Sequence, residues 1–194
     1  MHDWALSTSQ EHRGRLLRGM ATAVAAKGYG DTTIADIVRE ASVSRRTFYE
    51  HFRDKAECLI ALYEAASRNG LRVLREAIDP SQGWEQQVER AIAAYLECLA
   101  SNPVLMRTLF IEILGLGPEG LEARRAIHRE IADFLVQLVN AGTAPNGAMS
   151  HEIATAVIGG MHELVLQAIE DGKVDELPQL TTTATQLLKA VTRP

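Results

Sequence analysis

Four polar side chains within the segment 44–52 are of the types that recognise nucleic acids, and they lie close together. Arg45 and Arg46 carry guanidinium groups, whose paired N–H donors fit guanine edges and phosphate oxygens. The hydroxyls of Thr47 and Tyr49 suit phosphate, and the Thr methyl or the Tyr ring can contact a thymine methyl. The residue types leave open whether Thr47 and Tyr49 read bases or contact phosphate only, because most protein–DNA hydrogen bonds go to the backbone.

Patterns for enzymatic or metal chemistry are incomplete in this sequence. Two His-Glu pairs, which begin at His151 and His162, start like a zinc-protease motif, but Thr155 and Leu166 stand where the second histidine belongs. The two histidines are themselves about three helical turns apart, which is too far to share a metal. The two cysteines lack ligand-like spacing, and a phosphate-binding glycine loop is not found. We therefore expect a protein that is not an enzyme and that uses no metal and no cofactor.

Two helical segments are predicted to brace the polar segment. The first, residues 9–27, has an apolar stripe at helical spacing and ends at Gly28. The second follows Thr33, a good N-cap with Asp36 as its approximate capping-box partner. Its apolar residues repeat at the spacing of one helix face, at Ile34, Ile37, Val38 and Ala41. This helix spans only about two turns, so it must pack on its neighbours to be stable.

A turn of three residues, 42–44, joins the second helix to a third, for which Ser44 is a good N-cap. Two short helices joined in this way after a longer bracing helix form a helix-turn-helix. The second helix of such a unit can enter the major groove of DNA, which is about 12 Å wide. If Val43, Phe48 and Phe52 point inward, the polar residues of the third helix face outward.

Further contacts with DNA are predicted next to these helices. Helix N-termini supply amide donors for phosphate, which gives Thr32, Thr33 and Lys55 a role there, although Lys55 also fits an ordinary surface lysine. His51 can approach phosphate or brace its own helix. The candidate DNA-contacting residues are Thr32, Thr33, Ser44, Arg45, Arg46, Thr47, Tyr49, His51 and Lys55.

A run of motif residues extends through the N-terminal part of the chain. It comprises Thr32-Thr33-Ile34, Ile37, Ala41-Ser42-Val43-Ser44, Thr47-Phe48-Tyr49, His51-Phe52 and Lys55. In residue type and spacing this run resembles the DNA-binding domain of TetR-family transcriptional regulators, over residues 16–62 or about a quarter of the chain. The resemblance implies an all-helical homodimer whose variable C-terminal domain binds a small effector and moves the two DNA-binding heads.

Two residues depart from the family pattern. Ser42 stands where the family usually has glycine in its turn. If this position needs a positive φ, serine costs about 1–2 kcal/mol there, and an adjusted turn is the alternative. Arg46 stands where a small residue is common, so it adds a donor at the DNA face.

The remainder of the chain is predicted to form a helical body of about six helices. The resemblance places six residues on the inward sides of the helices that enclose the family's effector pocket, with plain hydrophobic core as the alternative for each. These candidate ligand-binding residues are Tyr95, Met106, Phe110, Phe134, Met161 and His162. The eighth predicted helix is apolar around much of its circumference and carries Gly159-Gly160, which favours a subunit interface shared with the ninth helix. A local kink at these glycines is the alternative.

Composition and charge fit this interpretation. The 194 residues are 46% apolar with a net charge of −5, which divides into +2 over residues 1–55 and −7 over the remainder. A slightly basic head on an acidic body argues against a non-specific architectural DNA-binding protein. The first residues lack the pattern of a signal peptide, and a continuous apolar stretch of membrane-spanning length is not found, so we expect a cytoplasmic protein with reduced thiols.

The sequence therefore predicts an all-α protein of about nine helices, with a helix-turn-helix head over residues 1–55 and an effector-binding and dimerisation domain over 56–194. Its predicted partners are a double-stranded operator, an unidentified small-molecule effector and a second copy of the chain, bound through the two C-terminal helices. The predicted function is transcriptional regulation, as a repressor released by its effector. An activator or a corepressor-dependent regulator with the same head, and a helical enzyme or lipid carrier, are the alternatives.

Overall fold

The computed structural model describes residues 3–143 and 148–192, and in this part of the chain every regular element is helical. Nine α-helices are present there, which confirms the predicted fold class. Their bounds are α1 (Asp3–Asp31), α2 (Ile34–Ala41), α3 (Arg45–His51), α4 (Lys55–Glu76), α5 (Trp84–Ala100), α6 (Pro103–Phe110), α7 (Pro118–Leu138), α8 (His151–Glu170) and α9 (Thr181–Thr192). Short 3-10 segments cover Glu112–Leu116 and Val174–Leu180, and a π turn covers Val139–Thr143.

The chain divides into two compact units. The first comprises Met1–Ala66 and Arg107–Ala123, and the second comprises Ser67–Met106 and Arg124–Pro194. The predicted head, residues 1–55, lies wholly within the first unit, which also takes in the start of α4 and the segment 107–123. The functional boundary between residues 55 and 56 stays a prediction.

In the first unit, α1 and α2 pack so closely that only glycine fits at one contact. A Cβ atom on Gly19 would lie 2.6 Å from the backbone oxygen of Ile37. The helical path of α1 breaks at Gly28, whose φ of 77° is left-handed, as the sequence predicted for the end of the first helix. The core of this unit includes the fully buried Phe48 of α3 and Leu59 of α4.

Side-chain caps fix where the short helices of the first unit begin. Thr33 and Asp36 form the predicted capping box at the start of α2. The ammonium of Lys27 and the hydroxyl of Thr33 both donate to the Asp36 carboxylate, and these bonds hold the pKa of Asp36 far below its usual value. At the start of α4, Asp54 accepts from the backbone N–H of Glu57 at 2.9 Å, and Glu57 reaches back to the N–H of Arg53 at 2.7 Å.

The second unit has its own apolar core, built from α5, α7, α8 and α9. The buried residues that pack together there are Val88, Ala132, Leu135, Val139, Met149, Ala154, Val157, Ile158 and Leu188. A salt bridge of 2.7 Å between Lys189 and Glu85 joins α9 to α5 at the surface of this unit.

Candidate nucleic-acid interface and apolar cavity

The turn between α2 and α3 contains a strained residue. Ser42 has φ 51° and ψ 48°, and it is the one non-glycine residue with a positive φ in the described part of the chain. The structure therefore has the left-handed turn, not the adjusted one. Arg15 of α1 supports it, because its guanidinium donates to the carbonyl oxygen of Ala41 at 2.9 Å and to that of Ser42 at 2.6 Å. Sequence reasoning missed Arg15, since helical periodicity does not show which turn a surface arginine reaches.

Helix α3 has the predicted orientation. Phe48 and Phe52 are buried against the head, whereas the side chain of Tyr49 is 55% exposed. The rings of Phe48 and Tyr49 meet edge-on with centroids 5.5 Å apart, so the buried ring supports the exposed one. Arg45 and Arg46 are exposed on the same helix. The predicted orientation is confirmed, while contact with DNA itself stays a prediction.

The polar residues at the N-terminal end of α3 differ in whether they already form hydrogen bonds or ion pairs within the chain. The Ser44 side chain accepts from the backbone N–H of Thr47 at 3.0 Å, and the two hydroxyls are 2.9 Å apart. Arg46 is paired with Glu50 one turn on, at 3.1 Å. Among the described residues Arg45 has no carboxylate partner, so its guanidinium is available to a phosphate or a base without breaking an ion pair.

The two threonines before α2 are placed differently from each other. Thr33 is exposed and caps α2. Thr32 is buried, and its hydroxyl donates to the carbonyl oxygen of Gly28 at 2.7 Å. This hydroxyl satisfies a backbone carbonyl where α1 breaks, and a contact of Thr32 with DNA stays a prediction.

Lys55 binds three backbone carbonyls within the first unit. Its ammonium donates to the carbonyl oxygens of Tyr29 at 2.9 Å, Gly30 at 3.2 Å and Thr32 at 2.9 Å, and it lies 4.3 Å from the centre of the Tyr29 ring. An ammonium has three donors, so these carbonyls occupy all of them. A phosphate contact by Lys55 stays a prediction, and it would require at least one of these bonds to open.

His51 is half-buried at the end of α3, close to His12 and Arg13 of α1. Burial and, next, the nearby His12 lower its pKa below the ordinary value, so the ring is neutral at pH 7. A neutral and partly buried imidazole beside Phe52 favours the bracing role among the two that the sequence left open.

The second unit contains a cavity of about 100 Å³. Its lining is apolar throughout and comes from α4, α5, α7, α8 and α9. The lining residues are Leu74, Val88, Ala91, Ile92, Tyr95, Ile131, Phe134, Leu135, Leu138, Val157, Ile158, Met161, Ala184 and Leu188.

The cavity brings together three of the six predicted ligand-binding residues, Tyr95, Phe134 and Met161. Met106 is buried in the second unit but does not line the cavity, and Phe110 belongs to the first unit. A ligand-binding role of these two residues stays a prediction. The residues on α4 and α9 were missed, because an apolar lining residue has the same sequence pattern as a core residue.

His162, the sixth predicted ligand residue, is engaged with a second histidine. Its Nδ1 is 3.0 Å from Nε2 of His128, and the two rings meet edge-on. Burial is the main cause that lowers the pKa of His128 to about 4 and that of His162 to about 3. The charge of Arg124 lowers both further, and at His162 the nearby His128 has a larger effect than Arg124. Both rings are therefore neutral at pH 7, and the N–H of one ring donates a hydrogen bond to the bare nitrogen of the other. His128 has no distinctive sequence pattern, and it was missed.

Helices α8 and α9 expose apolar residues, among them Ile153 at 43% and Val191 at 40%. Helix α8 runs unbroken through Gly159 and Gly160, which does not support the local-kink alternative. A Cβ atom on Gly159 would meet nothing within 4 Å in the chain, whereas one on Gly160 would lie 3.5 Å from Leu187. As a single described helix, α8 alone is long and apolar enough to cross a bilayer, a property that core helices of soluble proteins share.

Within residues 3–143 and 148–192, no group of three histidine, cysteine or acidic side chains is arranged to hold a metal ion. Cys58 is buried, and burial raises the pKa of its thiol to about 12.

The first unit thus contains a helix-turn-helix, and known proteins show what this part of the chain is similar to. Residues 17–62 match the family model described as bacterial regulatory proteins, tetR family. The HTH-type transcriptional regulator YxbF of Bacillus subtilis is 30% identical over 77 residues, which are 40% of this chain and 20% of that protein. The chain therefore aligns with about one fifth of the length of this curated relative.

Solved structures share the fold over both units. The regulator FadR of Bacillus halodurans superposes with a TM-score of 0.77 at 18% identity, covering 91% of this chain and 93% of that one. FadR of Bacillus subtilis, solved with stearoyl-CoA, superposes with a TM-score of 0.76 at 19% identity, covering 91% of this chain and 97% of that one. A TetR-family regulator of Syntrophomonas wolfei superposes with a TM-score of 0.78 at 18% identity, covering 93% of this chain and 96% of that one. The predicted resemblance to TetR-family regulators is confirmed, in the head by the family model and in the fold by these structures.

Proposed function

We propose that this chain is a sequence-specific, DNA-binding transcriptional regulator, and that it acts as a repressor released by a small-molecule effector. The observation that supports this most is the arrangement of α3. Its aromatic residues Phe48 and Phe52 are buried in the head, while Arg45 and Tyr49 are exposed. Such a helix has the width and the donors needed to read a major groove.

The regulator works as a cytoplasmic homodimer in this proposal. The exposed apolar residues of α8 and α9 support an interface there, because water-facing apolar surface on two adjacent helices is stabilised by burial against a second copy. A two-fold dimer places its two recognition helices in successive major grooves, about 34 Å apart, on a roughly palindromic operator.

The cavity of the second unit is the proposed effector site. Its apolar lining suits an apolar molecule, and FadR of Bacillus subtilis, which has a similar fold, was solved in complex with stearoyl-CoA. Effector binding favours a state whose heads no longer match the half-site spacing. The size of this shift cannot exceed the difference between the effector's affinities for the two states.

Selection of bound duplexes from a random pool tests the proposal, followed by fluorescence anisotropy with the selected and a scrambled duplex. We expect the selected duplex to bind at least about a thousandfold more tightly than the scrambled one. Arg45→Ala and Tyr49→Ala should weaken binding, and Arg129→Ala on the exposed face of α7 serves as the matched control. Equal affinity for any duplex would contradict the proposal. The position of the operator relative to its promoter then separates a repressor from an activator.

A further inference from the structure

The cavity of the second unit presents only apolar surface to a ligand. Among its lining residues, Tyr95 alone has a polar atom in its side chain. Because the lining surface is apolar throughout, Tyr95 faces the cavity with its ring and not with its hydroxyl. Within the described part of the chain, the lining therefore offers a ligand neither a hydrogen-bonding group nor a charge.

Two aromatic rings belong to the lining, and one of them is fixed by close packing on α4. A Cβ atom on Gly70 would lie 2.9 Å from Cε2 of Tyr95, so glycine at this position allows the ring to lie against the helix. Phe134 of α7 supplies the second ring, and Met161 of α8 supplies a flexible thioether. Rings and thioethers make favourable contacts with aromatic molecules, so these walls suit a flat apolar ligand.

The volume of the cavity limits the ligand to a compact molecule. An engineered cavity of about 150 Å³ that is lined by Leu, Ile and Phe stays free of water and binds benzene. Water is not retained in such a space, because it needs about two to four polar partners. The cavity described here is of about 100 Å³ and has a similar lining. A ligand of the size of one ring therefore gains dispersion contacts with its walls and displaces no ordered water.

A polar or charged group in this cavity would lose its hydration without a replacement. An unpaired hydroxyl lowers affinity by about tenfold, and a carboxylate lowers it far more. We propose that the effector of this protein is a compact, uncharged and apolar molecule of about the size of one aromatic ring. A long acyl chain with a charged head group, as in stearoyl-CoA, meets neither condition. This inference rests on the proposed function and names the chemical class of its effector.

Calorimetry on the full chain with three matched probes tests the inference. Toluene, benzyl alcohol and benzoate each have one benzene ring that carries one carbon atom, and they differ in the polarity of the group at that carbon. We expect toluene to bind about tenfold more tightly than benzyl alcohol, and benzoate to bind most weakly. Stearoyl-CoA should not displace toluene. Absence of toluene binding, equal or tighter binding of benzyl alcohol or benzoate, or displacement of toluene by stearoyl-CoA would overturn the inference.

A cavity-filling substitution shows whether toluene binds in this cavity. Ala91 lines the cavity, whereas Ala132 is buried in the same core and is not a lining residue. Ala91→Leu should lower the affinity for toluene by at least about tenfold without lowering the free energy of unfolding, because its side chain occupies empty space. Ala132→Leu, the matched control, should lower the free energy of unfolding and leave toluene affinity nearly unchanged. Equal losses of affinity in both variants, or no loss in Ala91→Leu, would overturn the inference.

A cavity-enlarging substitution takes the place of this pair if either variant does not fold. Leu74→Ala removes a side chain from the cavity wall. Naphthalene, which has two rings, should then gain affinity relative to toluene by about tenfold, because the variant has room for the larger molecule. An unchanged ratio of the two affinities would overturn the inference.

These titrations contain no DNA, so their failure is distinct from failure of the proposed function. A protein that binds its selected duplex but shows no preference for toluene would remain a regulator, and the inferred effector class would be wrong. A protein that prefers toluene but binds no duplex selectively would refute the regulatory function and support the assigned ligand class.

Discussion

The guanidinium of Arg15 donates a 2.6 Å hydrogen bond to the carbonyl oxygen of Ser42, across 27 positions in sequence. Ser42 is left-handed, with a φ of 51°, at the point where the chain turns from α2 into α3. A side chain of the bracing helix thus fixes the residue that sets the direction of α3. The orientation of Tyr49 and Arg45 depends on this contact, although Arg15 and Ser42 need not touch DNA.

Glycine at position 42 should stabilise the protein. Ser42→Gly removes the steric cost of a Cβ atom in the left-handed region, and we expect the free energy of unfolding to rise by about 1 kcal/mol. Urea denaturation measures the change. Ser101→Gly is the matched control, because Ser101 has an ordinary φ of −65° and glycine there should lower stability. A loss of stability in both variants would contradict the assignment of strain to Ser42.

Lys55→Met distinguishes the structural role of Lys55, the binding of backbone carbonyls, from a contact with phosphate. The variant leaves the carbonyl oxygens of Tyr29, Gly30 and Thr32 without their shared donor, so we expect a loss of about 1–3 kcal/mol in the free energy of unfolding. Denaturation and salt-dependent operator binding are measured together, with Lys173→Met in the second unit as control. If the free energy of unfolding of Lys55→Met is unchanged, and its operator binding depends on salt as if about one phosphate contact per subunit were lost, Lys55 contacts phosphate.

Glu50→Gln should strengthen operator binding. Glu50 is paired with Arg46 at 3.1 Å and carries a negative charge on α3, the helix that is proposed to face DNA. With three to five phosphate contacts per subunit, the logarithm of the native dimer's affinity should fall against log salt with a slope of about −5 to −9. The variant releases Arg46, so we expect a severalfold higher affinity and a steeper slope. Anisotropy at several salt concentrations measures both, and Glu170→Gln, exposed on α8, is the control. An unchanged affinity would show that Arg46 stays away from the phosphates.

How far the sequence predicts the site depends on whether a residue's role is set locally. The cap at Thr33 and the inward face of Phe48 follow from spacing along one helix, and both were predicted. Thr32 and Lys55 are predicted contacts of DNA, and the sequence did not show that their polar atoms bind backbone carbonyls where α1 breaks. Those carbonyls come from residues up to 26 positions away, and a one-dimensional pattern does not show which donor reaches them.

The same limit applies to the second unit. Met161 and Met106 are the same residue type, and each lies in a predicted helix, but only Met161 lines the cavity. The difference arises from which helices pack around it, because core and cavity walls both require apolar residues at helical spacing. His128 shows the limit most clearly, since its partner His162 is 34 positions away.

The histidine pair should make stability depend on pH in acid. Burial lowers the folded-state pKa of His128 to about 4 and that of His162 to about 3, below the ordinary value of 6.5. The unfolded chain therefore binds more protons than the folded one between these values, so stability falls as the pH drops from about 6.5 towards 4. Thermal unfolding at a series of pH values measures the trend. In a His128→Leu/His162→Leu variant, the loss of stability that the two histidines cause between about pH 6.5 and 4 should disappear. If stability depends on pH in the variant as it does in the native protein, the prediction is wrong.

Gly159→Leu tests the subunit interface without disturbing the protomer. A Cβ atom at position 159 would meet no other atom within 4 Å in the chain, so a larger side chain there fits the isolated protomer. In a dimer through α8 and α9 the same side chain would separate the two copies at their closest approach. We expect sedimentation to show a shift towards monomer and anisotropy to show weaker operator binding, with the helical content unchanged. Ala156→Leu, at an exposed position one turn earlier, shows how far the interface extends along α8. An intact dimer in Gly159→Leu would place the interface on another surface, and the exposed residues Ile153 and Val191 would then need a different partner.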